Sequence, residues 1–115
     1  MNFYILDKNN QPQNCSLNEW KRFWKDDQNL LRRVIGMDVI GDIGLITFFH
    51  KMFELTHEVH DPALFETIGS DRNTNETIYS ASYRTWEDAV KGHHDAINWA
   101  VSECKDNHGV SPACR

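Results

Sequence analysis

The segment from Trp86 to Cys104 constrains the fold most strongly, because it has the clearest helical periodicity in the chain. The residues of one helical face recur at intervals of three and four; they are Trp86, Ala89, Val90, His93, Ile97, Ala100, Val101 and Cys104. Thr85 and Asp88 form a capping pattern at the start of this segment. The spacing predicts a helix of about 18–20 residues, roughly 30 Å long, with one face buried against the rest of the protein.

A shorter helix and several strands are predicted before this segment. Ser16 and Glu19 match a capping box, and apolar residues at helical spacing follow to about Asp27. The other apolar segments have the alternation or β-branched composition of strands. They are Phe3–Leu6, Ile35–Val39, Leu45–Phe49, Ala63–Ile68 (closed by Gly69) and Thr77–Tyr83. The stretch from Asp7 to Asn14 is polar and predicts a turn.

The predicted order is β-α-β-β-β-β-α with short connections, which favours antiparallel pairing. We therefore expect an α+β fold: an antiparallel sheet of four to five strands, with a short N-terminal helix and a long C-terminal helix packed on it. A chain of 115 residues corresponds to one domain. Residues 1–104 are predicted to form this domain, and residues 105–115, with Gly109 and Pro112, a mobile polar tail.

The net charge of −5 argues against direct nucleic-acid binding, which depends on clustered Lys and Arg. Between Asp38 and Glu76 there are eight acids and only two bases. This segment is either an ordinary solvated surface or an acidic face that docks a basic partner, such as a nucleic-acid-binding protein. Trp99 lies off the centre of the helical face and is either an interface anchor or covered by the first helix or the tail. The candidate protein-binding residues are Asp38, Asp42, Glu54, Glu58, Asp61 and Trp99.

Histidine gives the strongest candidates for chemistry. His57 and His60 lie among carboxylates, which suggests either a metal site or a solvated loop. His93 lies on the apolar face of the long helix; there a histidine is typically satisfied by a carbonyl or a nearby side chain. The alternative is a metal ligand or a general base acting with Glu66. Gly92 beside it predicts a close approach of another backbone.

No catalytic residue and no cofactor is identified from the sequence. The glycines do not have the spacing of a phosphate-binding loop, and no nucleophile elbow is present. Because of the histidines, a small metal-dependent or histidine-dependent hydrolase is the alternative to a binding protein. The first residues do not have the pattern of a signal peptide, and no apolar run is long enough to span a membrane. The three cysteines are expected to be free thiols in a cytosol.

Two motifs carry a resemblance to a known family. Leu64-Phe65-Glu66-Thr67 and the stretch from Tyr83 to His93, which contains Trp86-Glu87-Asp88-Ala89, resemble small proteins of tailed bacteriophages and some bacteria. The resemblance covers residues 3–101, and extra residues at Ser82–Thr85 depart from the family pattern. It implies a phage accessory protein that binds and modulates a host protein, including components of host defence, in the host cytoplasm. A monomer or homodimer is expected; a self-associating virion or assembly component is the other alternative.

Overall fold

The computed structural model describes residues 2–26, 29, 31–49, 53–54 and 63–107. Within them the chain has an α+β fold with a four-stranded antiparallel sheet, a short helix and a long C-terminal helix, which confirms the predicted fold class. The elements are β1 (Asn2–Leu6), β2 (Pro12–Cys15), α1 (Leu17–Lys25), a 3-10 turn (Leu31–Arg33), β3 (Val34–Ile40), β4 (Ile43–Phe49), β5 (Phe53–Glu54), β6 (Phe65–Asp71), β7 (Thr77–Tyr83) and α2 (Trp86–Asn107).

The four-stranded sheet has the order β3-β4-β6-β7, and every neighbouring pair is antiparallel. β4 is an internal strand, as its apolar sequence predicts, and its residues alternate between the two faces of the sheet. Ile43, Leu45, Thr47 and Phe49 are buried on the face that α2 covers, which we call the inner face. The opposite, outer face carries the apolar side chains of Met37, Val39, Ile46, Phe48 and Ile68.

The first strand, β1, does not join the four-stranded sheet but lies in a second sheet. β1 pairs with β2 on one side and with β5 on the other. β2 falls in the stretch that its polar composition indicates as a turn, so that prediction was too broad. The tight turn is confined to residues 7–11, where Asp7 accepts hydrogen bonds from the backbone N–H groups of Asn9 and Gln11. Once this turn is closed, pairing needs only backbone groups, which polar residues also supply.

Both helices begin as predicted. The Ser16 hydroxyl accepts from the Glu19 N–H at 3.1 Å, and the Glu19 carboxylate accepts from the Ser16 N–H, so the capping box is complete. Thr85 caps α2 through the N–H of Asp88. α2 continues to Asn107, so residues 105–107 of the predicted tail are helical, and the rest of that tail lies outside the described residues.

Two glycines make room for tyrosine side chains of β7. Gly69 lies inside β6 and does not end it; an added Cβ there would lie 2.8 Å from the Cβ of Tyr79. At Gly92 an added Cβ would overlap the ring of Tyr83. The neighbour that explains Gly92 is therefore an aromatic ring, and the predicted close approach of another backbone was wrong. None of the helices in the described part of the chain is long and apolar enough to cross a membrane.

Candidate functional site

His93 extends from α2 to the middle of the inner face, between two hydrophobic clusters. One cluster is built around Phe49 and Phe65 and includes residues of β1 and α1. The other is built around Ile43 and Leu45, against Ala96 and Ala100 of α2. His93 itself is buried, so its two ring nitrogens need partners within the protein.

Those partners come from two strands of the sheet, and a third strand extends the row of hydrogen bonds. The His93 Nε2 lies 2.7 Å from Oδ2 of Asp38 on β3, and its Nδ1 lies 2.6 Å from Oγ1 of Thr47 on β4. The Thr47 hydroxyl in turn lies 2.5 Å from the hydroxyl of Thr67 on β6. We call these four residues, Asp38, His93, Thr47 and Thr67, the polar chain.

The polar chain has a consistent donor direction when the imidazole is neutral. The Nε2–H donates to the Asp38 carboxylate, which only accepts when ionised. The Nδ1 then accepts from the Thr47 hydroxyl, and the Thr47 oxygen accepts from the Thr67 hydroxyl. Every polar hydrogen of the polar chain therefore has an acceptor within it, as burial requires.

A row of small residues across the sheet leaves the space that the imidazole fills. Gly36 is paired with Thr47, Thr47 with Thr67, and Thr67 with Ala81. A Cβ at Gly36 would lie 2.5–2.9 Å from atoms of the His93 ring. Glycine at this position is therefore what allows the ring to lie against β3 and reach Asp38.

The polar chain contains the types of residue found in a hydroxyl–histidine–carboxylate catalytic triad, but it is not accessible to a substrate. Thr47 and Thr67 have 0% of their surface exposed, and a nucleophile must touch the atom that it attacks. The prediction of a core histidine satisfied by nearby side chains is confirmed. Glu66 is not its partner, because it alternates with Phe65 and Thr67 and thus lies on the outer side of β6.

The candidate protein-binding acids are distributed over different parts of the fold. Asp38 is bonded to His93, although 46% of its side chain is exposed. Asp42 lies in the β3–β4 turn, where its carboxylate accepts from the Asn73 side chain. Glu54 belongs to β5 and hence to the second sheet. Glu58 and Asp61 lie outside the described residues, so a single acidic face stays a prediction.

Trp99 is half-buried, and its ring packs on Tyr79 with centroids 4.9 Å apart. A residue of β7 therefore covers part of it, and most of the predicted tail lies outside the described residues. Burial, followed by the neighbouring Tyr83 and Asp95, raises the pKa of the Tyr79 hydroxyl. A binding role for Trp99 stays a prediction.

Of the candidate metal ligands, His57 and His60 lie outside the described residues. Within the described ranges, no three His, Cys, Asp or Glu side chains are grouped so that they could hold a metal ion. His93 uses both ring nitrogens in the polar chain. Cys15 and Cys104 are free thiols, and burial, with a smaller effect of Glu19, raises the pKa of Cys15, which keeps that thiol protonated at neutral pH.

The outer face of the four-stranded sheet is a candidate surface that the sequence did not reveal. Met37 is 67% exposed and Val39 is 52% exposed, and half-buried Ile46 and Ile68 lie beside them on β4 and β6. The alternation of Met37 and Val39 identified a strand, but it did not show which face of that strand stays open. Gly44 and Ser70 form a shallow depression beside Val39, and Arg72 lies at its margin.

No family model matches the chain, and searches of curated proteins and of solved structures find no match either.

Proposed function

We propose that this chain is a non-catalytic phage accessory protein that binds a host protein through the outer face of its four-stranded sheet. The exposure of Met37 and Val39 on that face, beside half-buried Ile46 and Ile68, is the observation that carries the proposal. Covering apolar surface gives about 25 cal/mol for each Å² removed from water, and contiguous exposed apolar patches mark interaction sites in monomeric proteins.

The composition around the patch also supports a binding surface. The neighbouring outer-face positions on β7 are Thr77, Ser80 and Ser82, which are exposed and uncharged. An apolar centre with a polar rim is the usual arrangement of a protein interface, and Glu66, opposite Phe48 on this face, adds a carboxylate to the rim. The net charge of −5 favours a partner with basic character.

The phage origin and the host partner rest on the resemblance of Leu64–Thr67 and of the stretch from Tyr83 to His93 to small phage proteins. Such a protein acts in the host cytoplasm, and a component of host defence is the class of target that we favour. Binding without catalysis agrees with the inaccessibility of the Thr47 and Thr67 hydroxyls.

The proposal is tested by capturing host proteins on the immobilised chain from lysates of several bacterial hosts. We compare the natural chain with Val39→Glu, which places a charge on the outer face, and with Val90→Glu on α2 as the matched control. Val90 is also an exposed valine but lies away from the outer face. A protein captured by the natural chain and by Val90→Glu, but lost with Val39→Glu, is then purified, and its binding to all three is measured by calorimetry.

The proposal expects a loss of at least about tenfold in affinity for Val39→Glu and no change for Val90→Glu. Equal affinities of the two variants for every captured protein would reject the outer face as the binding surface.

A further inference from the structure

The β3 strand is an edge of the four-stranded sheet. Only β4 pairs with it among the described residues, none of which pairs with the backbone groups on its other side. The register with β4 is irregular between Val34 and Gly36 and regular from Gly36 to Ile40. β3 contains neither Pro nor Lys; the features that protect it as an edge are the irregularity before Gly36 and the inward-pointing carboxylate of Asp38. The regular segment from Gly36 to Ile40 can therefore accept a strand that complements that carboxylate.

The side chains of β3 specify what an added strand would meet. Met37 and Val39 are exposed on the outer face, and Asp38 between them points to the inner face. One oxygen of Asp38 is bonded to His93, while nearly half of the side chain is exposed. A strand beside β3 would thus contact two apolar side chains on one face and a carboxylate on the other.

A second copy of this chain fits that edge poorly. Pairing of two β3 strands about Asp38 would place two carboxylates directly opposite each other, which destabilises a sheet. Each copy also has a net charge of −5, so the two molecules repel each other at long range. A different partner with a basic residue opposite Asp38 would avoid both the pairing of two carboxylates and the repulsion between two negatively charged copies.

We infer that β3 binds an extended segment of the partner as an added strand, and that this segment has an apolar–basic–apolar sequence facing Met37, Asp38 and Val39. The inference rests on the proposed function and specifies the chemistry of the partner. The backbone groups of β3 provide affinity, and the alternating side chains provide selectivity.

Synthetic peptides test this directly by fluorescence anisotropy with the full chain. The first is a nine-residue peptide of alternating threonine and valine, in which the central residue is lysine and a valine stands on each side of it. Two further versions are N-methylated at alternate residues, one at the odd and the other at the even positions. A strand that joins an edge uses the N–H groups of only one of these sets, whereas side-chain docking does not distinguish between them. A fourth peptide has glutamate in place of lysine.

We expect one N-methylated peptide to lose binding by more than tenfold and the other to retain it. The lysine peptide should bind about tenfold more tightly than the glutamate peptide, and Asp38→Asn should reduce that preference. If Asp38→Asn does not fold, the two N-methylated peptides still decide the question with the natural chain.

Three results would overturn the inference: equal affinities of the two N-methylated peptides, no saturation by any peptide up to about 1 mM, or a dimer whose β3 amides are protected from exchange without peptide. The proposed function can be judged separately. Loss of host-protein capture by Val39→Glu, together with equal binding of the N-methylated peptides, would retain the outer face and reject strand addition.

Discussion

The Nε2 of His93 lies 2.7 Å from the Oδ2 of Asp38, so the long helix is bonded directly to the edge strand of the sheet that it covers. The residues on either side of Asp38 are Met37 and Val39, which are the most exposed apolar residues of the outer face. The bond between α2 and β3 therefore fixes the strand that presents the proposed binding surface. The polar chain is thus a structural feature that positions the proposed binding surface.

The position of each threonine in the polar chain predicts how much it contributes to stability. Thr47→Val removes the partner of both His93 and Thr67, and we expect it to lower the free energy of unfolding by about 2–4 kcal/mol. Thr67→Val removes only the terminal donor and should cost about 1 kcal/mol. Denaturant unfolding of the two variants measures the difference. Thr47→Ser, which keeps the hydroxyl, is the control, and equal losses for both valine variants would contradict the hydrogen-bond order.

Gly36 should be the least tolerant glycine of the inner face. Gly36→Ala places a Cβ within 2.5–2.9 Å of the His93 ring, and we expect it to destabilise the fold by about 1–3 kcal/mol. Gly44→Ala on the next strand is the matched control, because its Cβ would meet the Arg72 side chain at an ordinary 3.5 Å. Thermal unfolding of both variants tests this. A loss for Gly36→Ala that persists undiminished in a His93→Ala background would show that the ring is not the cause.

Local patterns in the sequence were sufficient to predict both helices and most of the large sheet. Their caps and periodicities are contained within a few residues, as at Ser16 and Glu19. The polar chain was only half predicted, because it depends on strand register. The position of His93 followed from its helical spacing, but its partners Asp38 and Thr47 are 55 and 46 residues away in the sequence. Only the pairing of Gly36 with Thr47, and of Thr47 with Thr67, brings these groups into one row.

The assignment of faces explains the other differences from the predicted structure. Glu66 and Thr67 are neighbours in sequence but lie on opposite faces of β6, so the residue that joins the polar chain is the threonine.

β2 could not be predicted because Pro12–Cys15 has no apolar alternation, and its pairing depends on the turn at Asp7.

The turn between β1 and β2 should make stability depend on pH. Hydrogen bonds to the Asp7 carboxylate, first from the Gln11 N–H and then from Asn9 and Gln13, lower the pKa of this carboxyl below 3.8 in the folded chain, and Arg32 contributes in the same direction. A group whose pKa is lowered on folding contributes stability above its unfolded pKa and loses it as the pH falls through the folded pKa. The stability difference between the natural chain and Asp7→Asn should therefore be largest at neutral pH and shrink below about pH 4. Urea unfolding across this range measures it, and a difference that does not change with pH would contradict the role of the charged carboxylate.

Amide hydrogen exchange of the chain, alone and in complex with a captured host protein, tests the central claim most directly, because it reports which surface becomes covered. The account predicts slower exchange on binding along β3, from Gly36 to Ile40, and in the outer sheet, with no change in the exposed turns of α2 around Val90. Protection confined to α2 or to the second sheet, with β3 exchanging as in the free protein, would contradict it.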